Sequence, residues 1–180
     1  MLRPHPEGFR SAVAGLRDFH RRGWSLGTSS NYSVVLGRDP LELLLTASGK
    51  DKGALGAEDF VRVDGQGKVV HHRGDSFPQE NRPSAETMLH VVLASLPDVR
   101  AVLHTHSVWG TILSQQHFAA GGIELRDYEM LKGLAGVTTH ETSKWLPIFD
   151  NTQDIDALAA SGAPQRSQHR RCWIQEPMLS

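Results

Sequence analysis

The chain has 180 residues, 39% hydrophobic and 22% charged, with a formal net charge of -1. That length suits one domain with a sizeable core, and the balanced charge argues against nucleic-acid or membrane-surface binding driven by bulk charge. Its 10 histidines raise the expectation of a metal site, while the single cysteine, Cys172, excludes an intrachain disulfide and fits a reducing cytoplasm.

The opening M-L-R-P-H-P-E-G-F-R lacks the apolar core of a secretory signal, and no run reaches the ~20 residues of a membrane span. Phe9–Arg22 reads as a helix with Phe9, Ala12, Val13, Leu16 and Phe19 on one face, stopped by Gly23. Gly27–Asn31 is a small polar loop, suited to wrapping a phosphate or to a plain connecting turn. Tyr32–Leu36 and Glu42–Thr46 read as strands around a G-R-D-P turn. Thr46–Gly53 is a second polar loop in which Lys50 or Lys52 adds charge, without the spacing of a P-loop. Phe60–Val63 and Lys68–His71 read as a hairpin, with Lys68, His71 and His72 solvated.

Pro83–Leu96 reads as a helix with Ser84 as N-cap and Met88, Leu89, Val92, Leu93 and Leu96 as its buried stripe. Glu86 falls in the first turn, where a carboxylate complements the helix dipole. Val99–Ser107, V-R-A-V-L-H-T-H-S, reads as a strand ending in two histidines. Strand residues i and i+2 share a face, about 6.5–7 Å apart at Cα. From that spacing His104 and His106 can meet on one Zn²⁺ at about 2.0–2.1 Å; two exposed histidines at a strand end are the alternative. Trp109–Gln116 reads as helix, and Glu124–Lys132 as a short charged helix or turn with Glu129 on its surface. Trp145–Phe149 reads as a strand, and a helix begins at Ile155–Ala160. Leu26, Trp109 and Met130 read as core residues, with the lining of an apolar pocket as the alternative. Beyond Ala160 the apolar period stops and Arg166, Arg170 and Arg171 cluster, which divides the chain into a domain, 1–160, and an irregular tail, 161–180.

Taken in order, G-W-S-L-G-T-S-S-N-Y-S, T-A-S-G-K-D-K-G, R-P-S-A-E-T-M-L-H, A-V-L-H-T-H-S and Y-E-M-L-K-G resemble the class II aldolase/adducin family over residues 8–160. The resemblance implies an α/β fold, a three-layer α/β/α sandwich around a largely antiparallel sheet, here with its C-terminal strand and helix missing or altered. It implies a homotetramer with active sites near subunit interfaces. It implies one Zn²⁺ per subunit on His104 and His106, with Glu129 as catalytic acid/base. Ser30, Asn31, Ser48, Gly49 and Ser84 match positions around a substrate phosphate, and Glu86 matches a base or metal contact.

Within the family, E-M-L-K-G and L-P-I-F-D-N-T-Q-D-I resemble lyases that dehydrate 5-methylthioribulose 1-phosphate to 2,3-diketo-5-methylthiopentyl 1-phosphate in methionine salvage. A sugar-phosphate aldolase of the fuculose-phosphate type and a non-catalytic, adducin-like binding member are the alternatives. The implied partner is a small phosphorylated ketose in the cytoplasm, with neither nucleic acid nor membrane. The family closes its metal site with a later histidine in an H-G motif. No H-G dipeptide follows His106 here, and His140 and His169 stand in other contexts, so weak metal binding and weak activity are expected of this sequence.

Overall fold

A computed structural model describes residues 6–73, 75, 77–134, 136–150, 154, 157–158 and 173–174. The chain divides into two compact units, Met1–Val108 and Trp109–Ser180.

The first unit is built on a four-stranded sheet of order β3-β2-β1-β4. Its strands are β1 (Asn31–Arg38), β2 (Leu41–Thr46), β3 (Phe60–Asp64) and β4 (Ala101–His104), and every pairing is antiparallel. The run Leu43-Leu44-Leu45 lies in β2, at most 2% exposed, because helices cover both faces of the sheet. Strand alternation sends Leu43 and Leu45, with Val61 and Val63, against Val91 and Ala94 of helix α2 (Thr87–Ala94). It sends Leu44, with Tyr32 and Phe60, against Val13 of helix α1 (Pro6–Arg21), where Leu16 and Phe19 also pack. Gly23, at φ +72°, ends α1: its N–H and that of Trp24 return to the carbonyls of His20 and Phe19.

Several sequence expectations need correction in this unit. Lys68–His71 forms no strand, only a bridge between Val63 and Val69. The Gln66 and Lys68 N–H groups donate to the Asp64 carboxylate, and the pairing is limited to Asp64 N–H on the Lys68 carbonyl and Val70 N–H on the Arg62 carbonyl. His72 is not simply solvated: its Nε2 lies 2.8 Å from Glu42, which Arg62 joins to Asp75. Helix α2 begins later than expected, with Glu86 and not Ser84 at the N-cap. Ser84 instead closes a turn, accepting the Thr87 N–H and hydroxyl on its carbonyl. The buried face of α2 is Thr87, Leu89, His90, Val91 and Ala94, while Val92 and Leu93 are half-buried. The rotation follows from the late start and from a polar residue, His90, facing the sheet.

The second unit opens within α3 (Val108–His117), at Trp109, and carries the antiparallel pair β5 (Gly122–Arg126) and β6 (Ser143–Phe149). Glu124-Leu125-Arg126 is thus strand, not charged helix; its exposed charges alternate with Ile123 and Leu125 along the ladder. Only Glu129–Gly133 is helical there, as a 3₁₀ turn that buries Leu131. Ala157 and Leu158 are helical; the rest of the helix expected over 155–160 lies outside the described residues. From the tail, Trp173–Ile174 forms β7, parallel to Ile148–Phe149 of β6, and the remainder lies outside the described residues. Leu26, Trp109 and Met130 are not core: they are 57%, 74% and 89% exposed.

Candidate functional site

The H-T-H motif straddles the end of β4. The strand stops at His104, and the His106 N–H bonds the Trp24 carbonyl at 2.8 Å. The two imidazoles nevertheless converge, with ring centroids 4.5 Å apart and planes at 46°. His104 lies directly opposite Asn31 across the β1–β4 ladder, so both reach the face that α2 covers.

Glu86, at the N-cap of α2, is turned into this face and caps no backbone group. Its Oε2 accepts from His104 Nδ1 at 2.8 Å and from the Asn31 amide. Burial opposes ionisation of Glu86, but the hydrogen bond and charge of His104, with the Asn31 bond, hold its carboxyl down at about 2. Asn31 also donates to Ser84 Oγ at 3.1 Å. Behind this cluster, Asn31 Oδ1 meets His90 Nε2, and His90 Nδ1 lies 2.7 Å from Ser33 Oγ. The structure therefore joins five of the expected residues: His104, His106, Glu86, Asn31 and Ser84.

Of the other expected phosphate contacts, Ser30 is buried beside them with φ +73°. Ser48 and Gly49 lie at an exposed turn. Ser48 lines an open cleft of about 590 Å³ with Lys50, Asn81 and Arg82, and its N–H bonds the Arg82 carbonyl. Lys52 does not face solvent. It is 1% exposed, and its Nζ donates to the carbonyls of Thr28 (3.1 Å) and Lys50 (2.7 Å), tying the two polar loops together. Burial pulls its ammonium below the usual lysine range, against the charges of Asp51 and Asp59.

Glu129 belongs to the second unit. It is exposed at the start of the 3₁₀ turn, paired with Lys132 Nζ at 2.7 Å and His140 Nδ1 at 2.9 Å.

Sequence reading missed His90 and Arg82. The signal for His90 was present as N-x-S on a strand and E-x-x-x-H on a helix, two spacings that each put their ends on one face.

Two converging imidazoles, one backed by a carboxylate, make a donor set that suits Zn²⁺, because the carboxylate fixes the tautomer that leaves Nε2 basic. Among the described residues no group of three or more His, Cys, Asp or Glu closes around one point. The weakness expected from the tail falls outside the described residues.

A family model described as the class II aldolase and adducin N-terminal domain matches residues 10–175. The chain is 48% identical over 160 residues to the methylthioribulose-1-phosphate dehydratase of Pseudomonas fluorescens (strain Pf0-1), covering 87% of this chain and 71% of that one. It is 47% identical over 151 residues to that of Marinobacter nauticus, covering 83% and 68%. Among solved structures, L-fuculose-1-phosphate aldolase from Thermus thermophilus is similar at a TM-score of 0.64 and 24% identity, covering 92% of this chain and 76% of that one. The β-sheet with its two helical covers, the H-T-H at the end of β4 and the match over 10–175 agree, and this chain belongs to the class II aldolase and adducin N-terminal domain family.

Proposed function

We propose that this chain is a lyase that removes water from 5-methylthioribulose 1-phosphate to give 2,3-diketo-5-methylthiopentyl 1-phosphate, a step of methionine salvage. The observation that carries this reading is the 47–48% identity to dehydratases over 83–87% of the chain. In this reading His104 and His106 hold Zn²⁺, one per subunit, with Glu86 supporting His104 from behind. Bound there, the metal supplies a Lewis acid for the C2 carbonyl, which makes the C3 hydrogen more acidic.

The chain's own groups do the rest. Ser30, Ser48, Gly49 and Ser84 receive the phosphate, with Asn31, whose amide hydrogens go to Glu86 and Ser84, placing the Ser84 hydroxyl. Arg82 at the cleft adds positive charge beside Glu80 and the Lys50–Asp59 ion pair. Glu129 takes the C3 proton and returns a proton to the C4 hydroxyl as the C4–O bond breaks. The departing group is water. The C3=C4 enol that forms then tautomerises to the 2,3-diketone.

Likeness to fuculose-phosphate aldolases at 20–24% identity supports the fold and not the cleavage reaction. No described helix is long and apolar enough to cross a membrane. We assign the enzyme to the cytoplasm as a homotetramer, which sedimentation of the purified protein tests. The function is tested by incubating the zinc-loaded chain with 5-methylthioribulose 1-phosphate and, separately, fuculose 1-phosphate. Dehydration of the first without cleavage of the second is expected. Cleavage of the second alone would move the chain to the aldolases.

A further inference from the structure

We propose that His90 is a positioning residue: it locks the Asn31 amide and, through Glu86, holds His104 in one tautomer and one orientation. The proposal rests on the reading of His104 as a metal ligand. His90 is 1% exposed, and its two ring nitrogens meet Asn31 and Ser33. Two regular spacings put its ring where it is. Asn31 and Ser33 share one face of β1 as an i, i+2 pair, and Glu86 and His90 share one face of α2 as an i, i+4 pair. The strand pair meets the helix pair, and Asn31 stands opposite His104 on the next strand.

The direction of every hydrogen bond follows from the charged end. A carboxylate only accepts, so Asn31 presents its NH₂ to Glu86, and His104 presents Nδ1–H. Asn31 Oδ1 then faces His90, whose Nε2 must carry the hydrogen. His90 Nδ1 is left bare and accepts from the Ser33 hydroxyl at 2.7 Å. Each donor thus points toward Glu86. Turning the Asn31 amide over would set oxygen against carboxylate and NH₂ against N–H, leaving buried groups unpaired. The consequence reaches His104: with Nδ1–H held by Glu86, Nε2 is its lone-pair nitrogen, the one available to a metal. Removing the His90 donor leaves Asn31 Oδ1 unpaired and frees the amide to rotate.

The test uses the full chain with zinc as probe. Zinc affinity is measured by competition with a fluorescent chelator for the wild type, His90→Gln and His90→Leu, each checked for folding by circular dichroism. Glutamine can still place an N–H near the Nε2 position. His90→Gln is therefore expected to bind within about threefold of wild type and His90→Leu to bind about 10–100-fold more weakly, the range for lost support behind a ligand. Equal affinity in a folded leucine variant overturns the proposal. A second readout needs no variant and no metal. Two-bond ¹⁵N–¹H correlations of the imidazoles are expected to show His90 protonated at Nε2 and His104 at Nδ1. The opposite tautomer at His90 overturns the proposal, and this measurement decides if His90→Leu does not fold. Failure of the dehydratase reading is separate: it shows as no turnover by a wild type whose zinc ranking and tautomers are as expected.

Discussion

Lowering the pH from 7 to 5 should destabilise the metal-free chain through His90. Burial, helped by the charge of His104 and opposed by that of Glu86, holds the His90 imidazole down at about 3 in place of 6.5. The unfolded chain therefore takes up a proton as pH falls through the ordinary histidine value, while the native chain does not until about 3. Between those values the unfolded state binds more protons, so stability falls with pH across that window. With each pKa unit equal to about 1.4 kcal/mol, the loss at pH 5 relative to pH 7 is about 2 kcal/mol. A loss of that size lowers the melting temperature by roughly 4–8 °C for a chain of this length. The same pH interval keeps Glu86 out of the measurement, because its depressed carboxyl affects stability only as pH falls below about its ordinary 4.5. Denaturant unfolding of wild type and His90→Gln at both pH values isolates the effect: the wild type should lose about 2 kcal/mol more than the variant. Equal losses in the two proteins would refute the reasoning that a neutral His90 is built into the fold.

Glu129→Gln should reduce dehydration by about 10²–10⁴-fold and leave zinc affinity unchanged, measured by product formation and chelator competition. Glu86→Gln sets an amide between two donors, His104 Nδ1 and Asn31 Nδ2, and should weaken zinc binding about 10–100-fold. Lys52→Met leaves the carbonyls of Thr28 and Lys50 without their donor, so KM for the phosphorylated substrate should rise several-fold more than kcat falls. Leu44→Ala, at a position 2% exposed between β1 and β3, should cost about 2–5 kcal/mol in denaturant unfolding.

The parts of the fold legible in the sequence were those with an unmixed period. Val13, Leu16 and Phe19 announce α1 and its buried face, and Leu43–Leu45 announces a strand covered on both sides. The H-T-H motif was legible as a pair of convergent ligands because its spacing is a strand spacing, although only His104 lies within β4. Strand β5 was hidden because Glu124 and Arg126 are exposed and charged, and the ladder with β6 is a tertiary fact that no local propensity carries. The exposure of Trp109 and Met130 was hidden for the opposite reason: apolar side chains are read as core whatever covers them. The N-cap at Glu86 was misplaced because its carboxylate serves His104 and Asn31 in place of the helix. His90 escaped notice because the N-x-S and E-x-x-x-H spacings are each commonplace alone, and its role appears only when β1 and α2 are brought together.

The most direct measurement is turnover of 5-methylthioribulose 1-phosphate by zinc-loaded wild type and by His106→Ala, followed by mass and NMR of the product. Loss of one water to the 2,3-diketone by the wild type, with a loss of at least about 100-fold in the variant alongside its zinc, is the expected result. Undiminished dehydration by a His106→Ala protein that holds no zinc would contradict the claim that the paired imidazoles at the end of β4 carry the chemistry.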